Sequence, residues 1–168
     1  MSFLDRLFGS SLDPLQKQAE ELVSVARINA TNIFVPLLSR YSVLRDANVE
    51  NWDFIVTVAG VFIAASVLNN MLDGNAREEN LMGFVAERVE IWNPDGVRAF
   101  EDCKELYERE YDRLELAGHE SRYLASDAVG KWIVWNVLNK CPESQEEIML
   151  VRAVGVMVTH FFVDYWRR

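Results

Sequence analysis

The chain has 168 residues, half of them apolar and 26% charged, with only 8 Gly and 4 Pro, which fits one ordered globular domain and excludes a disordered or low-complexity chain. Acids outnumber bases 26 to 17, the formal net charge is −9 and the longest basic run is Arg167-Arg168, so the chain lacks the cation cluster that nucleic acid requires and suits a basic or neutral protein partner. Cys103 and Cys141 show no CxxC or Cys/His spacing, and a domain of this size needs no staple; they read as reduced thiols of a soluble, cytoplasmic protein.

Residues 1–12 form a short amphipathic segment ahead of the domain. Phe3, Leu4, Leu7 and Phe8 share one helical face, while Asp5 and Arg6 interrupt the apolar run that a secretory signal requires. Helix nucleation is unfavourable, so a segment this short must dock, either on its own bundle or on a partner through the tether Gly9-Ser10-Ser11. One basic residue attracts an anionic lipid surface poorly, so peripheral membrane contact is not expected.

The bundle domain is predicted over 13–168. Asp13-Pro14 supplies an N-cap and a first-turn proline, and Leu15, Ala19, Leu22, Ala26, Ala30, Ile33, Leu37, Tyr41 and Leu44 then recur every three or four residues. Pro36 lacks a backbone donor and is expected to kink or split this first helix. The second helix is expected over 52–72, ending at Asp73-Gly74. Residues 54–72 carry no charge and would span about 28 Å as a helix, close to a bilayer core. Thr57, Ser66, Asn69 and Asn70, with acidic rather than basic flanks, favour a buried core helix over a transmembrane span.

Asn75 and Glu78 form a capping box for a third helix ending near Trp92. Pro94 opens a fourth that stops at Gly118, and a fifth runs from Glu120 to Lys140 before Cys141-Pro142. Ser144 and Glu147 form a second capping box, opening a sixth helix that continues nearly to Arg168. Helices two and six are apolar nearly all round and carry central glycines, Gly60 and Gly155, where a neighbouring backbone can approach; both are expected to be buried. No segment alternates with period two, and the linkers are short. The fold is therefore an all-α, single-domain bundle of about six helices with antiparallel neighbours.

Three features carry candidate function. On the fourth helix Glu101, Glu105, Glu108, Asp112 and Glu115 fall along one face beside a seam of Phe100, Tyr107, Tyr111 and Leu114. That acidic ridge reads as a solvated face or, more sharply, as a docking surface for a basic partner or a weak divalent-cation site. Acidic pairs such as Glu87/Glu90 and Glu105/Glu108 admit a metal-dependent hydrolase, but no Glu-x-x-His pair occurs and no metal ligand is assigned. Trp132 and Trp135 on the fifth helix, with His160 and Asp164 one turn apart on the sixth, fill a core or line an apolar ligand pocket. His119 sits at a helix junction. Neither glycine-rich phosphate-loop pattern is present, so no cofactor is assigned.

The leading expectation is a non-enzymatic helical protein-interaction module, acting through the N-terminal segment or the acidic ridge on a protein partner or a second copy. Dimerisation is open. The alternatives are a bundle that binds a small apolar ligand and the metal-dependent hydrolase.

Overall fold

The computed structural model describes residues 14–71 and 76–166, with side chains over 14–67, 81 and 83–161. Six α-helices follow in order: α1 (Pro14–Arg40), α2 (Val49–Met71), α3 (Ala76–Trp92), α4 (Gly96–Leu116), α5 (Ser121–Leu138) and α6 (Gln145–Trp166), with a 3-10 turn at Ser42–Leu44. Among the described residues there is no strand, and the molecule is the single all-helical bundle that the periodicity predicts. The N-terminal segment, the Asp13 cap, the stop at Gly74 and the Asn75/Glu78 box lie outside the described residues.

The axis of the bundle is α2, every residue of which from Ile55 to Ala65 is buried. Trp52 anchors its first turns, donating from Nε1 to the Ala30 carbonyl at 2.9 Å while its ring lies 5.1 Å from that of Phe34. Farther along, Phe62 meets the edges of Phe100 and Tyr107, with centroids at 5.7 and 5.0 Å. By length and composition α1 and the 49–67 stretch of α2 are both apolar enough to cross a membrane; 67% of the α2 window and 39% of the α1 window are buried inside the bundle. The apolar surface of α2 is thus largely covered by its own neighbours.

Local signals explain most helix ends. Gly118 has φ +76°, and the His119 and Gly118 amides donate to the Leu114 and Glu115 carbonyls, which closes α4 in a Schellman motif. Ser144 and Glu147 cap α6 reciprocally: the Glu147 amide donates to Ser144 Oγ at 3.2 Å, and Glu147 Oε2 accepts the Ser144 and Glu143 amides at 2.9 Å. Lys140 closes on the same carboxylate at 2.5 Å. With Lys140 first and these amides after it, the Glu147 carboxyl is held down at about 2.

Three expectations need correction. Of the two outcomes expected at Pro36, the split is excluded, since α1 runs through it to Arg40. Asn32 and Pro36 are both exposed, so the Asn32 carbonyl left without a helical donor faces water. The chain breaks instead at Tyr41, whose φ −116° and ψ 109° lead into the 3-10 turn, which Glu146 holds by accepting from the Ser42 amide and hydroxyl. Secondly, α5 ends at Leu138 rather than Lys140, because Asn139 takes the left-handed conformation (φ 52°) that Asn tolerates best among non-glycine residues.

Thirdly, the second buried helix is α5, not α6. Ser126 to Gly130 and Trp132 to Val134 are buried on α5. On α6, by contrast, Leu150, Val154 and Val158 are buried while Ile148, Met149, Val156 and Phe161 stay exposed. Asp127 and Lys131 make α5 read as amphipathic, but their charges are neutralised where they lie.

Candidate functional site

A strongly amphipathic α4 begins the site. Phe100, Cys103, Leu106, Glu110 and Leu114 follow one another at helical spacing and form its buried stripe. Glu110 therefore stands where the pattern demands an apolar side chain, and only 5% of it is exposed. It accepts from Arg113 Nε at 2.7 Å and lies 2.9 Å from Lys131 Nζ on α5. Burial pushes the carboxyl up, yet the hydrogen bonds from Lys131 and Arg113 outweigh it and hold the group below its usual range. One helical turn before Lys131, Asp127 is 8% exposed and takes Arg152 of α6 as a bidentate partner through Nε and Nη2. That hydrogen bond raises the Arg152 guanidinium further, and the same guanidinium lies 4.3 Å from the centre of the Tyr123 ring.

These charges converge on a cleft of about 480 Å³ between the last turns of α4, the middle of α5 and the first half of α6. Leu114, Ile148, Met149 and Val151 supply its apolar wall, with His119 and Pro142 completing it. Ile148 and Met149 are 56% and 49% exposed, so large apolar side chains meet water beside fixed charges. Concavity, an apolar wall and a few convergent polar groups are the usual features of a ligand site, and the volume lies in the usual range.

The cleft owes its shape to the α5–α6 crossing. Helix α5 makes its most extensive contacts with α6, and Gly130 meets Gly155 where they touch. A Cβ on Gly155 would sit 1.8 Å from the Ser126 carbonyl oxygen, and one on Gly130 2.1 Å from that of Val151. Only glycine permits this approach, which sets Asp127, Lys131, Val151 and Arg152 in place. Across Arg152 from the cleft, a shallower groove of about 440 Å³ runs between α1 and α6, with Leu37 and Tyr41 facing Val156 and Met157.

The residues singled out by sequence are distributed otherwise. Glu101, Glu105, Glu108, Asp112 and Glu115 are all exposed on the outer face of α4, where Lys104 approaches Glu108 at 4.0 Å. Among the described residues no three His, Cys, Asp or Glu side chains converge to hold a metal ion. Trp132 is fully buried and donates from Nε1 to Asp102 Oδ2 at 2.9 Å, whereas Trp135 is 37% exposed. The antiparallel register through Gly130 and Gly155 leaves Trp135 and the exposed His160 about ten residues apart along the pair, roughly 15 Å. The structure does not bring them together. Phe3, Leu4, Leu7, Phe8 and Asp164 lie outside the described residues.

Glu110, Asp127, Lys131 and Arg152 are not distinguished by the sequence pattern alone. The available signal was a charge inside a buried stripe: Glu110 on the apolar face of α4, and Asp127 with Lys131, one turn apart, in an otherwise apolar helix. Comparison with family models, curated proteins and solved structures finds no match.

Proposed function

We propose that this protein is a cytoplasmic binding module that takes a small ligand in the α4–α5–α6 cleft. The observation that carries this is the convergence of two buried, cation-paired carboxylates with the exposed apolar pair Ile148 and Met149 around one concavity. Glu110 and Asp127 are unnecessary for packing, since apolar residues fill such positions without the desolvation penalty of a buried ion pair. Their presence supports a polar task. The cleft is preferred to the acidic ridge because the ridge carboxylates point to water, where Lys104 reaches Glu108 only at 4.0 Å. A fragment screen on methyl-labelled protein tests the proposal: hits should shift the Leu114, Ile148, Met149 and Val151 signals first. A screen whose hits scatter over the surface, or that yields none, refutes it.

A protein-interaction reading stands second, supported by the exposed apolar residues Val156 and Phe161 on the C-terminal half of α6. Its partner is a second copy of the chain. Sedimentation velocity over a concentration series should show a dimer that Val156→Glu abolishes; a monomer throughout refutes it.

A further inference from the structure

The charges around the cleft do not cancel. Arg113, Lys131 and Arg152 are three cations against the two carboxylates of Glu110 and Asp127, so one positive charge is left over in a chain of net charge −9. The surplus can be placed. Arg152 spends both arms of its guanidinium fork on Asp127. Glu110, by contrast, is shared by Lys131 and by Arg113, and Arg113 reaches it through Nε alone. Both terminal amino groups of Arg113 are thus left to meet another acceptor, on a side chain that is 57% exposed at the mouth of the cleft. The apolar wall of Ile148, Met149 and Val151 lines the same cleft.

We infer that the cleft selects a small monoanionic amphiphile, its carboxylate against the Arg113 fork and Lys131 and its apolar body along Ile148, Met149 and Val151. A monoanion matches the single surplus charge. A dianion would leave one negative charge uncompensated, and a cation would add to the surplus. Guanidinium terminal amines are suited to a planar carboxylate, which they hold by two charge-assisted hydrogen bonds. The inference rests on the cleft being the binding site, and the experiment separates the two claims.

Octanoate, octanol and octylamine share one chain and differ in charge near neutral pH. Each is titrated into the full-length protein by calorimetry, with methyl shifts recorded in parallel. Octanoate is expected to bind about tenfold more tightly than octanol, the factor a charge-assisted bond provides, and octylamine more weakly than either. Arg113→Gln removes the surplus charge while leaving Glu110 paired with Lys131, so the fold persists; octanoate should then bind no better than octanol. Arg113→Lys should restore part of the preference. Equal affinities for the three probes, or an undiminished octanoate preference in Arg113→Gln, overturns the ligand class and leaves the cleft in place. If no probe binds, or the shifts fall away from Ile148 and Met149, the cleft assignment itself fails.

Discussion

Replacing Gly155 by alanine tests the central packing contact. The added Cβ would stand 1.8 Å from the Ser126 carbonyl oxygen, where ordinary contact begins at 3.4 Å, and it would also approach the Gly130 Cα at 3.2 Å. Both obstacles are backbone, so no side chain can rotate away, and α5 and α6 must part by about 1.5 Å locally. A gap of even ~1 Å forfeits up to about half of each dispersion contact across it. Overpacking of this kind costs about 1–3 kcal/mol or somewhat more, while alanine returns about 1 kcal/mol in helix propensity. The net expectation is a loss of about 2 kcal/mol, which for a chain of this size lowers Tm by roughly 4–8 °C. Gly130→Ala should behave alike, and the double variant should lose less than the sum because one separation relieves both clashes. Gly83→Ala is the control: it is exposed on α3 with nothing within 4 Å of the added Cβ, so it should gain about 0.5–1 kcal/mol. Urea and thermal unfolding followed by far-ultraviolet circular dichroism measure all four. If Gly155→Ala stabilises the protein as Gly83→Ala does, the helices do not cross where described.

Arg152→Met should cost about 2–3 kcal/mol by leaving the buried Asp127 carboxylate unpaired, toward the low side of a buried pair because Arg152 is 45% exposed. Asp127→Asn should cost less, since the released guanidinium can turn to water; urea midpoints that reverse this order refute the assignment. The Glu147 carboxyl sits near 2 against its ordinary 4.5, so its contribution to stability is complete above 4.5 and disappears as pH falls toward 2. Relative to wild type, Glu147→Gln should therefore be destabilised near neutral pH, and the difference should close on acidification through that window. Among the thiols, exposed Cys141 should react with an aromatic disulfide reagent in the native protein. Buried Cys103, its thiol pushed up by burial and then by Asp102, should react only on unfolding; equal rates would refute its burial.

The helices were legible because their signals are local. The spacing of Leu15 to Leu44, the Ser144/Glu147 box and the glycine at 118 each act within one or two turns, and the structure repeats them with small shifts at Leu138 and Arg40. Burial was legible for α2 and not for α6, because an apolar residue is indifferent to which neighbour covers it. Ile148 and Met149 look like core in sequence and lie half in water, since only one face of α6 meets α5 and α2. The cleft was the least legible. Glu110 meets Lys131, and Asp127 meets Arg152, only across helix pairs, so each residue alone reads as an ordinary surface charge. Gly155 stands out in an apolar helix as a close-approach position, but its counterpart Gly130 lies beside Asp127 and Lys131 and does not.

The glycines and the buried charges act on the same degree of freedom. A crossing built on Gly130 and Gly155 favours one register, because a slip of one turn would bring a residue with a Cβ against the facing backbone. A slip of one turn, about 5.4 Å, would carry Arg152 away from Asp127 and leave a carboxylate buried alone. The same slip would draw Glu146 away from the Ser42 amide and so release the turn after α1. Charge pairs that add little net stability thus penalise every register but one. The surplus cation at Arg113 is set apart from them: it fixes no helix, and its removal should leave the register intact while altering what the cleft accepts.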